Sequence, residues 1–218
     1  MEAIALERRT VNYPMRFTTM PMIKEATPFK YKGVGISGKM CVGKTTLASF
    51  IEQEYGIERR SLATALKNQV VDALVENGID CKRADLLGQH KGKIRGILQQ
   101  WGVAFREFNG EDYWIDCLFE DGNYYLVVDD VRFPNEFEAL RKRGFLMVRL
   151  SASNYERDQR MKTLYEQVDY LQSTHESETA LDLYDSKFDI ILFSQPTPEE
   201  TFAAFKREAS RFGFGNDL

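Results

Sequence analysis

A loop bounded by glycines, with a strand before it and a helix after it, restricts the fold of this chain more than any other feature. Residues 38–45 read GKMCVGKT and match the pattern G-x-x-x-x-G-K-[ST] of the phosphate-binding P-loop. Residues 31–37 predict a short strand, and residues 46–51 continue as an amphipathic helix. Because the motif requires this order of elements, the sequence predicts a P-loop protein that binds a nucleoside triphosphate.

Each part of the loop has an expected role in holding phosphates. Glycine lets the backbone turn so tightly that successive N–H groups point inward, and the helix N-terminus adds partial positive charge. We expect the Lys44 ammonium near the outer phosphates and the Thr45 hydroxyl on Mg²⁺, which makes ATP and Mg²⁺ the predicted cofactors. The residues predicted to bind the nucleotide are Gly38, Lys39, Val42, Gly43, Lys44, Thr45 and Thr46.

Composition limits the class of protein. The chain has 218 residues, a length typical of one domain with a full core, and a formal net charge of −4. An acidic balance argues against stable binding of nucleic acid, since general nucleic-acid binders are usually basic. No apolar run is long enough for a membrane span, and three cysteines with two histidines favour neither a disulfide framework nor a zinc site. The reducing cytoplasm is the simplest location.

Apolar and amphipathic segments alternate along the rest of the chain. Strands separated by helices indicate a parallel sheet that is covered on both faces. We therefore predict an α/β protein with three layers, a central parallel sheet and helices on both faces. The expected strands lie near 59–62, 124–128, 145–150 and 188–193, and the expected helices over 63–76, 93–108, 134–143, 155–171 and 197–212.

Residues 1–30 differ from the remainder, because they contain three prolines and show no helical or strand period. We predict that they form an N-terminal extension to a P-loop domain of residues 31–218. The extension is either a disordered tail or an arm that packs on a neighbouring subunit, and we expect it to be dispensable for the chemistry.

Two carboxylates, Asp129 and Asp130, directly follow the apolar run 124–128, at the carboxyl edge of the predicted sheet where ligands bind in open α/β folds. One of them can bind Mg²⁺ through water or orient the attacking oxygen, and we select Asp130. Arg132 would then face the reacting phosphates. The alternative is that one of the carboxylates caps the turn that follows.

A predicted helix over 93–108 carries an arginine and an amide on one face. Arg95 and Gln99 lie one turn apart, so their side chains are neighbours. An arginine can clamp a phosphate with two hydrogen bonds while a nearby amide reads the edge of a base. The alternative is a surface helix with solvated charges, in which Trp101 is a core anchor.

Arg157 and Arg160, three residues apart, share a face of the predicted helix 155–171. Arginines on a mobile segment can neutralise the charge of a transferred group as the segment closes over it. The alternative is a solvated face, which is the usual role of charged helices. Further along, Ser177 is a candidate cap for a helix that begins at this point.

Taken in order, these motifs resemble those of a known family. The P-loop is followed by R-x-x-L-Q-x-x-G at 95–102, a tryptophan, DVRFPNE at 130–136, a basic helix and Ser-Glu before the last strand. Over about residues 31–212, the chain resembles the phage-type deoxynucleoside monophosphate kinases of the adenylate-kinase-like P-loop group. The resemblance implies transfer of the γ-phosphoryl group of ATP to a deoxynucleoside 5′-monophosphate in the cytoplasm, which is that of the host cell if the chain is phage-encoded. Kinases of this group can pair as homodimers, so a second subunit is the candidate partner.

The same resemblance assigns regions and residues. An acceptor-binding region is expected at about 63–120 and a lid at about 152–175. The catalytic residues that it implies are Lys44, Asp130, Arg132, Arg157 and Arg160. The residues that it implies for the acceptor are Arg95, Gln99, Arg106, Trp114 and Arg132. The metal ligands are Thr45 and Asp130.

Two other functions stay open at this point. A kinase of the same fold could act on a modified base within DNA, which the basic residues Lys82, Arg83, Lys91, Lys93 and Arg95 favour and the acidic balance of the chain disfavours. A non-catalytic nucleotide-binding switch is the other alternative. Its weakness is the number of arginines after the P-loop, since a switch needs only one nucleotide site.

Overall fold

The computed structural model describes residues 30–79, 91–164 and 176–215. The surroundings of the side chains are described for these residues except 91–95 and 164. The predicted N-terminal extension and residues 165–175 of the predicted lid lie outside the described residues. Within the described part of the chain, no helix has the length and apolar character needed to span a membrane.

Five parallel strands form a single sheet in the order β2-β3-β1-β4-β5. The central strand β1 (Gly33–Ser37) lies between β3 (Leu126–Val131) and β4 (Phe145–Ser151), while β2 (Glu58–Arg60) and β5 (Ile190–Phe193) form the edges. Strands β2 and β3, which come next in the chain, lie on one side of β1, and β4 and β5 lie on the other. The carboxyl end of β1 is therefore a topological switch point, where open α/β sheets bind ligands.

The helices alternate with the strands much as the sequence predicts. A short helix before β3 was not predicted, and the predicted charged helix is described only as far as residue 164. The described helices are α1 (Lys44–Tyr55), α2 (Ala63–Glu76), α3 (Lys91–Asn109), α4 (Tyr113–Leu118), α5 (Pro134–Lys142), α6 (Asn154–Leu164), α7 (Glu176–Thr179) and α8 (Pro198–Arg211), with a 3₁₀ turn at Asp185–Lys187.

Alternate residues of the central strands enter two cores on opposite faces of the sheet. Val127 and Leu146 face a core that includes α1 and α8. Their neighbours Val128 and Met147 face a second core that includes α4 and α5. Complete burial of a side chain of this size contributes about 1.5–3 kcal/mol, so both faces stabilise the sheet strongly. The predicted three-layer α/β architecture is confirmed.

Candidate active site

The loop between β1 and α1 has a backbone that restricts which residues it can contain. Gly38 has a φ of 153°, and a Cβ at this position would lie 2.2 Å from the carbonyl oxygen of Leu150 on β4. Gly43 has a φ of 99°, in the left-handed region. Cys41 also has a positive φ, 64°, which costs a non-glycine residue on the order of 1 kcal/mol. The loop leads into the N-terminus of α1, whose free N–H groups and dipole favour an anion.

The Lys44 ammonium lies inside this loop. The residue is 9 % exposed, and its Nζ donates hydrogen bonds to the carbonyl oxygens of Gly38 (2.6 Å) and Lys39 (2.9 Å). Burial lowers the pKa of Lys44 to about 8, and Arg132 contributes in the same direction while Glu178 opposes it. An anion bound in the loop would raise the pKa again, so phosphate binding and protonation of Lys44 are coupled.

This coupling predicts how ATP affinity depends on pH. Because Lys44 in the free protein loses its proton near pH 8, binding at higher pH requires uptake of a proton. We expect the association constant for ATP to fall about tenfold per pH unit between pH 8.5 and 9.5. Calorimetry in two buffers of different ionisation enthalpy should show uptake of nearly one proton at pH 9. An affinity that is constant from pH 7.5 to 9.5 would contradict the prediction, and Lys44→Met should abolish the proton uptake.

The two carboxylates at the end of β3 point to opposite faces of the sheet and have different partners. Asp130 accepts hydrogen bonds from the Ser61 hydroxyl, from the Leu62 N–H (2.7 Å) and from the Ala63 N–H (3.0 Å). It therefore satisfies free donors at the start of α2, as an N-cap residue does. These hydrogen bonds engage both carboxylate oxygens of Asp130, and its assignment as a magnesium ligand and catalytic residue stays a prediction. Asp130 caps α2, whereas the capping alternative placed the cap on the turn that directly follows the two carboxylates.

Asp129 contacts the first turn of α1, directly after the P-loop. The Thr45 hydroxyl donates a hydrogen bond to it, and Arg59 Nη1 lies 3.6 Å from its Oδ2. Burial and then the neighbouring Asp130 raise the pKa of Asp129, while Thr45 and Arg59 lower it. A hydroxyl and a carboxylate are hard oxygen donors of the kind that Mg²⁺ prefers beside nucleotide phosphates. The residues present fit a magnesium ion, and Asp129 joins Asp130 as a candidate ligand.

Arg132 lies between the P-loop and two buried glutamates. Its Nη1 donates to the Glu178 carboxylate and to the Ser177 carbonyl (3.1 Å), and its backbone N–H donates to Glu136 (2.7 Å). Burial raises the pKa of Glu136 to about 7. The same Glu178 carboxylate also accepts a hydrogen bond from the backbone N–H of Met40, so Arg132 lies beside the loop. Sequence reasoning missed Glu178 and treated its neighbour Ser177 as a helix cap, whereas Ser177 lies inside α7.

Both arginines of α6 reach the P-loop. Arg157 Nε donates to the carbonyl oxygen of Met40 (3.1 Å). Arg160 Nη1 donates to the carbonyl oxygens of Cys41 (3.3 Å) and Val42 (3.2 Å). Both arginines therefore contact the P-loop, whereas the solvated-face alternative predicts that solvent surrounds them. Their catalytic role stays a prediction.

The predicted acceptor residues differ in how the structure places them. Gln99 and Arg106 lie on α3. The guanidinium carbon of Arg106 lies 4.2 Å from the centroid of the ring of Phe133, the residue that follows Arg132 in the sequence. Arg95 also belongs to α3, but its side chain lies outside the described part. Gln99, Arg106 and Arg95 therefore stay candidates for the acceptor site.

Trp114 is buried beside α3, and its assignment as a substrate residue stays a prediction. It is 5 % exposed, and its Nε1 donates to the carbonyl oxygen of Gly102 (3.2 Å). Its ring packs against Phe105 of α3 and against Tyr113 of its own helix. Trp114 therefore packs α4 against α3, and its ring N–H has a hydrogen-bond partner, as is usual for a buried indole.

A cavity of about 170 Å³ opens next to the P-loop, between α6 and the loop that follows β5. Arg160 contributes one wall, and its Nη2 donates to the Ser194 hydroxyl (2.9 Å). The walls combine this planar guanidinium with apolar and polar side chains, a mixture that suits a flat polar ring such as a nucleobase. The residues that line the cavity are Val42, Gly43, Thr46, Leu47, Arg160, Ser194, Gln195, Pro196, Pro198 and Thr201.

The fold and the loop together define a P-loop protein with a three-layer α/β fold. Residues 34–180, more than half of the chain, match the family model described as AAA domain, and the chain belongs to this family. No curated protein matched the sequence.

Solved structures with low sequence identity are similar to this chain. TT1252 from Thermus thermophilus has a TM-score of 0.52 and 17 % identity, covering 82 % of this chain and 96 % of that one. Shikimate kinase from Aquifex aeolicus has a TM-score of 0.49 and 15 % identity, covering 84 % of this chain and 99 % of that one. A gluconokinase from Sinorhizobium meliloti has a TM-score of 0.46 and 15 % identity, covering 84 % and 97 % respectively. At these identities, the likeness to TT1252 extends to the fold alone.

Proposed function

We propose that this protein transfers the γ-phosphoryl group of ATP to the 5′-phosphate of a deoxynucleoside monophosphate. The observation that carries the proposal is the convergence of Arg132, Arg157 and Arg160 on the P-loop that holds Lys44. Phosphoryl transfer needs positive charge on several sides of the transferred group, because its equatorial oxygens carry negative charge in the transition state. A nucleotide switch has no such need.

The donor side of the proposed site is built around the P-loop. The loop and Lys44 would hold the phosphates of ATP, and the base would enter the cavity beside Arg160. Thr45 and Asp129 would hold Mg²⁺, which when bound neutralises charge on the donor phosphates. Arg157 and Arg160 lie on α6, so movement of this helix would bring charge to the phosphates and exclude water.

The acceptor side is formed by α2 and α3, which pack together through Val70, Val71 and Leu98. Arg106 and Arg132 on this side can hold an anionic phosphate, and Gln99 can read the edge of a base. A 5′-phosphate acceptor is already anionic, so transfer to it needs no general base. That the acceptor is a deoxynucleotide is supported by the resemblance of the DVRFPNE and R-x-x-L-Q-x-x-G motifs.

The proposal is tested by incubating the protein with γ-labelled ATP and a panel of acceptors. The panel contains the four deoxynucleoside monophosphates, the corresponding ribonucleotides, and duplex DNA with and without hydroxymethylated bases. Label on a deoxynucleoside diphosphate is the expected result. Label on modified DNA would instead favour the DNA kinase, and ATP binding without transfer to any acceptor would favour a switch.

Arg106→Ala should separate the acceptor site from the ATP site. We expect the KM for the monophosphate to rise about tenfold or more, because a charged hydrogen bond contributes about 1.5–3 kcal/mol, while the KM for ATP changes less than about twofold. Steady-state kinetics with each substrate varied in turn measures both constants. Arg207→Ala is the control, since Arg207 lies on α8 and pairs there with Glu208. Equal increases in both KM values would show that Arg106 does not belong to the acceptor site.

A further inference from the structure

Glu178 connects the P-loop to Arg132. Its Oε2 accepts a hydrogen bond from the backbone N–H of Met40 in the loop (2.7 Å), and its Oε1 accepts one from Arg132 Nη1. The side chain of Glu178 is only 2 % exposed, so solvent is excluded from these contacts. Each oxygen of one carboxylate therefore holds a different part of the candidate site.

The charge of Glu178 is maintained in spite of its burial. Burial opposes ionisation, but the attraction of Arg132 and the hydrogen bond from Met40 outweigh it, so the pKa of Glu178 lies below its usual value. A buried carboxylate of this kind is stable only with its partners in place, since removing one partner leaves an uncompensated charge. Glu178 also acts on Lys44, whose pKa it raises against the effect of burial. Three groups of the candidate site therefore depend on one side chain.

Two further carboxylates of the segment that contains Glu178 attach it to Lys39 of the P-loop and to Arg149 of β4. Asp182 pairs with Lys39 and with Arg149, each at 3.0 Å, and Asp185 lies 3.4 Å from Arg149. The side chains of Asp182 and Asp185 are 38 % and 59 % exposed, so solvent screens these two carboxylates far more than it screens Glu178. Glu178 is the one of the three that is buried and that touches Arg132.

We infer that Glu178 is a positioning residue for phosphoryl transfer, which holds the Arg132 guanidinium against the P-loop so that the two act on the same phosphate. This inference rests on the proposed function and adds to it a residue that touches neither substrate. Without the Glu178 carboxylate, Arg132 loses the group that directs it to the loop, and its charge is no longer aimed at the transferred group. The loss should therefore fall on the rate of transfer more than on the binding of ATP.

The test is a double-mutant cycle of Glu178→Gln and Arg132→Ala. Glutamine keeps the size of the side chain and can still accept the Met40 N–H, but it removes the charge that holds Arg132. We expect Glu178→Gln to lower kcat about 10- to 100-fold with less than about a threefold change in the Kd for ATP. In the Arg132→Ala background, the same substitution should change kcat less than about twofold, because Glu178 acts through Arg132.

Asp185→Asn is the matched control, since it removes an exposed carboxylate of the same segment and should leave kcat within about twofold of wild type. Thermal unfolding of all variants shows whether each one is folded, and ATP binding shows whether the loop is intact. Equal losses of kcat from Glu178→Gln in the wild-type and Arg132→Ala backgrounds would overturn the inference and leave the proposed function standing. A wild-type protein that transfers phosphate to none of the acceptors would overturn both.

Discussion

Replacing Lys44 by alanine should reduce kcat/KM for phosphoryl transfer by about a hundred- to a thousandfold while the protein stays folded. Lys44 Nζ is the buried cation of the loop, held by two carbonyl oxygens. A preorganised donor aimed at developing charge contributes about this much to catalysis, because it needs no reorganisation during the reaction. Initial rates with the best acceptor of the panel, at saturating and limiting ATP, measure the loss. Thermal unfolding and circular dichroism check the fold.

Lys39→Ala is the matched control for this prediction. Lys39 belongs to the same loop, but its ammonium pairs with Asp182 at 3.0 Å, whereas its carbonyl oxygen accepts a hydrogen bond from Lys44 Nζ. The prediction that Lys39 binds the nucleotide stays a prediction, and this variant tests its side chain. We expect less than about a fivefold change in kcat/KM, in keeping with the small contribution of exposed ion pairs. A Lys44→Ala protein with near wild-type turnover would show that the loop does not act in catalysis.

Local sequence was sufficient to predict the P-loop and the parallel sheet. The loop needs a strand before it, glycines at set positions and a helix after it, and all of these lie within residues 31–51. Strands and helices that alternate along the chain admit few topologies, because parallel strands require crossover connections. The fold class therefore followed from features that are close together in the sequence.

The choice between Asp129 and Asp130 could not be made in this way. Strand β3 is buried on both faces, so Val127 and Val128 are equally apolar although they point to opposite cores. In a half-buried strand, alternating apolar and polar residues indicate which side chains face the core. A strand that is buried on both faces has no such alternation. Only the position of α1 on the Val127 side shows that Asp129 lies beside Thr45.

The contacts of Glu178 and Trp114 could not be predicted from the sequence for a related reason. The two partners of Glu178 lie 46 and 138 residues away in the chain, so no local spacing indicates the contact. Trp114 follows the R-x-x-L-Q-x-x-G motif closely and was assigned to the substrate by resemblance. Its burial against α3 depends on packing between two helices, which the motif does not describe.

Asp129→Asn and Asp130→Asn should have opposite consequences. Asp129→Asn is expected to reduce Mg²⁺-dependent transfer about a hundredfold or more without lowering the melting temperature. The carboxylate lies beside the Thr45 hydroxyl, and its pKa is raised by burial and by Asp130, so removing the charge relieves an unfavourable environment. Asp130→Asn should instead lower the free energy of unfolding by about 1–2 kcal/mol, because Asp130 caps the start of α2.

Titration of activity with Mg²⁺, together with thermal unfolding of both variants, measures the two effects separately. The half-saturating Mg²⁺ concentration should rise for Asp129→Asn and stay close to wild type for Asp130→Asn, whose turnover should fall less than about fivefold at a temperature where it is folded. Each variant is the control for the other, since the two residues are adjacent and the chemical change is the same. If Asp130→Asn loses Mg²⁺ dependence while Asp129→Asn loses stability, the original assignment of the metal to Asp130 is right and the placement of Asp129 at the magnesium site is wrong. The two variants therefore test directly whether the magnesium ligand is Asp129 or Asp130, which point to opposite faces of β3.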